Sequence, residues 1–163
     1  MRRDIRLRAL AVTVALVAAA GAALVWFDRD APRQAGSNFD TAFEQAVLLL
    51  HARQYEPAAA ALHALLQRSP QVPELHVNMG YALLGLKNYA AARDFFLGAI
   101  RLRPSQANAY YGLAEALEGT GDLRGAIEAM RTYVHLRPAE DEFARKANAA
   151  IWEWQAAMKG GAK

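Results

Sequence analysis

The side chains most able to do chemistry in this sequence are four histidines and a pair of glutamates. A zinc site would need two histidines at i and i+4 of a helix, or cysteine and histidine at matching spacing. The chain has no cysteine, and its histidines form no such pair: His51, His63, His76 and His135. Glu115 and Glu118 lie one helical turn apart, which is more typical of a solvated face than of a catalytic pair. With no Gly-x-Ser-x-Gly elbow or phosphate-binding loop either, the sequence predicts a non-enzyme without catalytic residues, metal or cofactor.

The elements that would position these side chains follow a 34-residue repeat. Pro70, Pro104 and Pro138 stand 34 residues apart, and each follows a helical pattern that ends in a basic residue. The units set by these prolines are 39–72, 73–106 and 107–140. Apolar spacing and turn residues predict a helix pair in each unit, over 39–52, 55–68, 73–86, 89–102, 107–120 and 123–136. Such a pair cannot bury its apolar face alone, so the units are expected to stack into an all-α solenoid.

Three sets of side chains recur at fixed places in the units. A small residue twelve positions before each proline allows a close helix crossing, at Ala58, Ala92 and Ala126. A large apolar residue follows four positions later, at Leu62, Phe96 and Met130. The second helix of each pair begins with Tyr55, Tyr89 or Leu123. This pattern resembles the tetratricopeptide repeat (TPR) family over residues 39–140, with the first unit departing most from the family pattern.

The resemblance implies that the first helix of each unit lines a concave groove for a partner protein. The positions expected to contact the partner are Phe43, Val47, His51, Val77, Asn78, Tyr81, Asn108, Tyr111 and Glu115. Their apolar members predict a partner segment with large apolar anchors, unless some of them are core between the first helices. The carboxylate clamp of chaperone-binding relatives is not expected, because only Asn78 matches its pattern of Lys, Asn and Arg. Removing Tyr81 or Tyr111 should weaken binding and leave folding nearly unchanged, provided that they are not core.

A seventh helix is predicted over about 141–158, followed by a tail at 159–163. Its apolar stripe recurs at helical spacing, at Phe143, Ala147, Ile151, Trp154 and Met158. This helix has no partner helix after it, so we expect it to cap the open end of the core. Trp152 lies off the stripe, where it either covers the edge of the cap or provides a second contact surface.

The N-terminal part of the chain has the pattern of a membrane segment. Ala9–Phe27 is an uncharged run of 19 residues that would span about 28 Å as a helix. The basic leader, residues 1–8, predicts a cytoplasmic N-terminus and a periplasmic repeat domain in a bacterial inner membrane, with a single membrane pass. The alternative is a cleaved signal peptide and release to the periplasm, because Ala18–Ala20 and Ala20–Ala22 fit the cleavage rule. Residues 28–38 are predicted to be a linker.

The charge distribution argues against a nucleic-acid partner. The net charge of +3 comes from the leader, because the chain carries 15 basic and 15 acidic side chains from residue 9 onward. The repeats show no basic stripe, so the high pI of 9.4 does not indicate nucleic-acid binding.

These patterns together predict a membrane-anchored TPR scaffold or adaptor that binds an extended or helical segment of a partner protein. An anchor followed by about three repeats is similar to bacterial assembly factors of the cell envelope, including the TPR proteins of cytochrome c maturation. The alternative hypothesis is a permanent structural subunit of a membrane protein complex, with a neighbouring subunit filling the groove.

Overall fold

The computed structural model describes residues 31–137 and 141–160, and side chains from residue 38 onward. The predicted leader at 1–8 and membrane segment at 9–27 lie outside these ranges. Across the described ranges, no helix is long and apolar enough to cross a membrane. The chain divides into two compact units, residues 1–41 and 42–163. The described part of the first unit, 31–41, is helical, and the second unit contains the helical array.

The described residues form seven helices and no strand, which confirms the predicted all-α array. They are α1 (Ala31–His51), α2 (Tyr55–Arg68), α3 (Pro73–Gly85), α4 (Tyr89–Leu102), α5 (Ala107–Gly119), α6 (Leu123–Leu136) and α7 (Glu142–Gly160). From α2 to α7, each helix packs against the next one along the chain. In addition, α3 packs against α5. This arrangement places the first helices of the second and third units side by side.

The start of α1 differs from the prediction. Residues 31–38, predicted to be linker, belong to α1 and are helical. The polar and punctuated composition of this stretch was the basis of the linker prediction. Polar composition does not exclude a helix, because intrinsic propensity is a weak signal that the surrounding structure can override.

The turn within each unit has the same backbone geometry. The second residue after the first helix has a positive φ in all three units, at Arg53 (57°), Lys87 (59°) and Gly121 (85°). The next residue donates its backbone N–H to a carbonyl five positions earlier, from Asn88 to Leu83 at 2.8 Å in the second unit. The other units repeat this bond, so each first helix ends in a Schellman motif that satisfies its last carbonyls.

The repeated small and large positions build the core as predicted. Ala58, Ala92 and Ala126 are fully buried. The ring of Phe96 is also fully buried and lies against two glycines, Gly80 of α3 and Gly112 of α5. A Cβ at either glycine would come within 2.6 Å or 2.2 Å of this ring. These glycines let α3, α4 and α5 approach one another closely, which fixes the spacing of the helices that bear the predicted groove residues.

The buried face of α7 only partly matches the predicted stripe. Ala147 and Trp154 are buried, and Ile151 is half-buried, but Phe143 is 53% exposed and Met158 is 39% exposed. The cap extends past the helix it covers, because α7 has 19 residues and α6 has 14. Phe143, in the first turn of α7, lies beside the guanidinium of Arg137 and the ammonium of Lys146. The face of α7 that carries Ala144, Ala147 and Trp154 therefore covers the array, while the first and last members of the predicted stripe remain open to solvent.

Candidate functional site

A groove of about 870 Å³ runs along α3 and α5. Polar and aromatic side chains of these two helices form its walls, and residues from the end of α1 and from the starts of α2 and α4 close its sides. The lining residues are Leu50, His51, Arg53, Tyr55, Glu74, Val77, Asn78, Tyr81, Leu84, Gly85, Tyr89, Gln106, Asn108, Glu115, Glu118 and Gly119. A cavity of this size and openness can take a chain segment with several side chains.

A second cavity of about 490 Å³ adjoins the groove and shares three lining residues with it, Tyr81, Asn108 and Glu115. It adds Tyr111, Tyr133, Arg137 and Phe143, and so extends the surface toward the start of the cap helix. The rings of Tyr111 and Tyr133 meet edge to face with their centroids 5.1 Å apart. The two cavities therefore form one continuous surface, which we call the α3–α5 groove.

Tyr81 is held firmly in the floor of this groove. Its hydroxyl donates to the backbone carbonyl of Asn108 at 3.0 Å, which links α3 to the first turn of α5. Its ring packs edge to face on Phe96, with centroids 5.2 Å apart. Burial, with a further contribution from Glu115, raises the pKa of the Tyr81 hydroxyl. Tyr81 thus supports the fold as well as the groove, so the condition that it is not core, on which the expected neutrality of its removal depended, is not met.

Glu115 is the most perturbed carboxyl group of the groove. Burial, with a smaller contribution from Glu118, raises the pKa of Glu115 from its ordinary value of 4.5 to about 7. Glu118, one turn further along α5, accepts a hydrogen bond from the Trp154 indole Nε1 at 2.8 Å. Glu115 is therefore partly protonated near neutral pH, and its charged form is the one that the surroundings disfavour.

Polar groups at one end of the groove are tied to one another. The Arg103 guanidinium pairs with Glu74 and also donates to Gln106 Oε1 at 3.0 Å. The Asn78 amide Nδ2 donates to the backbone carbonyl of Glu74 at 2.8 Å, which fixes the direction of the side chain. Asn108, across the groove on α5, is exposed. Two amides with both donors and acceptors can hydrogen-bond the backbone of a bound segment.

The structure brings seven of the nine sequence-predicted groove residues together. His51, Val77, Asn78, Tyr81, Asn108 and Glu115 line the larger cavity, and Tyr111 lines the adjoining one. Val77 is only 5% exposed, because α3 packs directly against α5, so most of its side chain belongs to the core. Phe43 and Val47 are half-buried residues of α1 that line neither cavity. Of the three contact residues predicted on α1, only His51, in the last turn of the helix, lines the groove.

Sequence reasoning missed the tyrosines that close the side of the groove. Tyr55 and Tyr89 were predicted only to begin the second helices of their units, and both also line the larger cavity. Each ring lies against a glycine of the next unit, Gly85 for Tyr55 and Gly119 for Tyr89, and these pairs are again 34 residues apart. The repeated tyrosine–glycine spacing was the pattern that could have identified them.

Trp152, predicted as a second contact, is 71% exposed on α7 and lines neither cavity. Its neighbour Trp154 is the buried member of the pair, and it donates to Glu118 as described above. Within the described ranges, no group of three or more His, Cys, Asp or Glu side chains is placed to hold a metal ion.

Comparison with known proteins assigns this architecture to a family. The tetratricopeptide repeat model matches residues 43–107 and 96–141, more than half of the chain. The chain belongs to the tetratricopeptide repeat family. No curated protein sequence matches it significantly. The family pattern inferred from the 34-residue spacing is thereby confirmed.

Solved structures share the fold at low sequence identity. The first TPR of Spaghetti (RPAP3), bound to the HSP90 peptide SRMEEVD, is 20% identical with a TM-score of 0.68, over 74% of this chain and 93% of that one. The Yersinia enterocolitica type III secretion translocator chaperone SycD is 14% identical with a TM-score of 0.71, over 76% and 88%. PcrH, in complex with the chaperone-binding region of PopD, is 17% identical with a TM-score of 0.70, over 76% and 95%.

Proposed function

We propose that this TPR protein is a scaffold or adaptor that binds an extended or helical segment of a partner protein in the α3–α5 groove. The observation that carries the proposal is the groove itself. It is open and continuous, its walls are polar and aromatic, and Asn78 of α3 and Asn108 of α5 line it. Amides of this kind serve backbone recognition, while the aromatic rings provide surface for apolar anchors.

The structural neighbours support binding of a segment rather than of a whole folded surface. One was solved with a short HSP90 peptide, and another with the chaperone-binding region of PopD. We extend this mode of binding to the present chain as part of the proposal. The carboxylate clamp is not expected here, so we propose recognition of an internal segment through its backbone and apolar side chains.

The proposal places the groove outside the cytoplasm, anchored at a bacterial inner membrane by residues 9–27. Its support is the uncharged run of 19 residues behind an arginine-rich leader. A tethered array would meet partner segments that emerge at the same membrane, as expected for an assembly factor of the cell envelope. Cleavage of the leader and release to the periplasm is the alternative location.

Site-specific photocross-linking in the native cells tests this function. A photoreactive amino acid at Asn108 or Glu118, both exposed in the groove, should yield a discrete adduct with a partner protein. The matched control is Asp94, an exposed residue of α4 that lines neither cavity and should yield none. Adducts at Asp94 but not at the groove positions would move the binding surface elsewhere and contradict the proposal.

A further inference from the structure

The α3–α5 groove contains three carboxylates whose surroundings differ. Glu74 is ion-paired with Arg103, and Glu118 accepts a hydrogen bond from the indole of Trp154. Glu115 lines both cavities. Across the part of the chain that the structure describes, no Lys or Arg nitrogen lies within 4 Å of Glu115. It is the groove carboxylate that lacks both an ion-pair partner and a hydrogen-bond donor among these residues.

The basic side chains that face the same surface are positioned elsewhere. His51, the last residue of α1, and Arg53, in the turn after it, line the larger cavity, but neither forms an ion pair with Glu115. Arg137 lines the adjoining cavity, but its guanidinium donates to Asp141 at 3.0 Å and lies 5.6 Å from the centroid of the Phe143 ring. The phenol groups of Tyr81, Tyr111 and Tyr133 and the amide of Asn108 line the same cavity as Glu115. None of them supplies a positive charge.

We infer that the partner segment carries a lysine or arginine that enters the groove between Tyr81 and Tyr111 and pairs with Glu115. The inference rests on the proposed function and specifies the chemistry of its partner. Charge complementarity is the basis, because a partly buried carboxylate without a counter-ion gains most from a cation that arrives with the ligand. The two phenol rings add to the site, since an ammonium or guanidinium is attracted to aromatic faces.

The same site explains how apolar and basic recognition combine in one segment. The rings of Tyr81, Tyr111 and Tyr133 line the same cavity as Glu115 and provide apolar surface beside the carboxylate. The aliphatic stem of lysine or arginine can lie along this surface while its charged end reaches the carboxylate. The partner motif expected from this geometry is one basic residue with large apolar residues on either side.

Proton linkage offers an independent signature. Burial raises the pKa of Glu115, whereas a bound cation would favour the carboxylate and lower it again. Binding of a basic segment should therefore release a proton near neutral pH and strengthen between pH 6 and pH 8. The other titratable or charged groups of the surface are His51, Arg53, Tyr55, Glu74, Tyr81, Tyr89, Tyr111, Glu118, Tyr133 and Arg137. Loss of the pH dependence in Glu115→Gln separates the contribution of Glu115 from theirs.

The test uses a displayed library of random 16-residue peptides selected on the full-length chain in detergent. The variants are Glu115→Gln, the groove-blocking Asn108→Trp at an exposed position, and Glu153→Gln as an exposed carboxylate control on α7. We expect selected peptides to carry a lysine or arginine flanked by large apolar residues. Their affinity should fall about tenfold in Glu115→Gln, and equally when glutamine replaces the basic residue of the peptide. The two changes together should cost little more than either alone.

Each other outcome has a defined meaning. Peptides that Asn108→Trp displaces, but that bind wild type and Glu115→Gln equally, would overturn the inference and leave the proposed groove function in place. Failure to select any peptide that Asn108→Trp displaces would contradict the groove function and the inference with it. Glu153→Gln should behave as wild type throughout, and an equal loss in this control would also overturn the role of Glu115.

Discussion

At the scale of single residues, the groove contains a charge that the fold does not favour. Glu115 is mostly shielded from water and sits near Glu118, and both effects oppose ionisation. A folded state that holds a carboxyl group with a raised pKa loses stability as the pH rises through that value. A core built only for stability would place an apolar residue or an amide at this position. Glu115 therefore marks a site where stability and recognition have different requirements.

We predict that Glu115→Gln removes this pH-dependent loss. The ordinary pKa is 4.5 and the folded pKa is about 7, so the native state binds more protons than the unfolded state between these values. The stabilisation of the neutral form is complete below about pH 4.5 and lost as the pH rises through 7. In urea unfolding, Glu115→Gln should match wild type near pH 4 and exceed it by on the order of 2 kcal/mol at pH 8.

The exposed control Glu153→Gln should show no such divergence. A difference between wild type and Glu115→Gln that is the same at pH 4 and pH 8 would mean that Glu115 is not desolvated in the folded state. Measuring the difference between two proteins at each pH cancels the contributions of groups that titrate in both.

At the scale of the elements, much of the fold was predictable because repetition makes each signal appear three times. Helices α2, α4 and α6 have the predicted bounds, and α3 and α5 end one residue earlier than predicted. The exceptions are the ends of the array, where no second copy of the pattern exists. The early start of α1 and the exposed ends of the α7 stripe both belong to this class.

The groove was predictable for α3 and α5 and less so for α1. Family positions carried onto α3 and α5 line the cavities, because the neighbouring first helices pack side by side as in the repeat pattern. Phe43 and Val47 line neither cavity. Whether a residue lines a cavity depends on how the surrounding helices pack, and the position of a residue in a repeat does not specify this packing. The desolvation of Glu115 was likewise invisible in the sequence, since burial depends on how the neighbouring helices pack around the side chain.

The turn within each unit allows a matched test of the repeat geometry. Lys87 and Gly121 occupy the same left-handed position, with φ of 59° and 85°. A side chain with a Cβ is disfavoured there, whereas glycine is not. We predict that Lys87→Gly raises the free energy of unfolding by about 0.5–1 kcal/mol. This figure is the net gain, because the relief of backbone strain exceeds the cost of the extra flexibility that glycine gives to the unfolded chain. Gly121→Ala should destabilise it by about 1 kcal/mol.

Lys87→Ala is the control for loss of the lysine side chain, and it should be near neutral because it keeps the Cβ. Urea unfolding of the three variants gives the comparison. Equal stabilities for Lys87→Gly and Lys87→Ala would show that the left-handed backbone is not a source of strain in the second unit. The Schellman hydrogen bonds recur in all three units, so the same backbone is expected in every variant.

At the scale of the whole molecule, the distribution of charge separates a basic leader from a balanced remainder. The repeat domain and its flanks carry equal numbers of acidic and basic side chains, and the net charge of +3 lies within residues 1–8. Recognition in the groove therefore depends on local charges such as Glu115 rather than on a field of the whole domain. The leader charge serves orientation at a membrane in the proposed arrangement.

We predict that the full-length chain remains in the membrane, with the repeats accessible from outside the cytoplasm. Residues 9–27 carry no charge, and the tryptophan near their end suits a membrane interface. The protein should stay in the membrane fraction after an alkaline carbonate wash, and protease added to spheroplasts should digest its repeats. A variant with Leu16 and Val17 both changed to Arg should lose this retention, because charge at the middle of a membrane helix is costly. Soluble protein that begins near Gly21 or Ala23 would instead establish cleavage of a signal peptide and contradict the anchor.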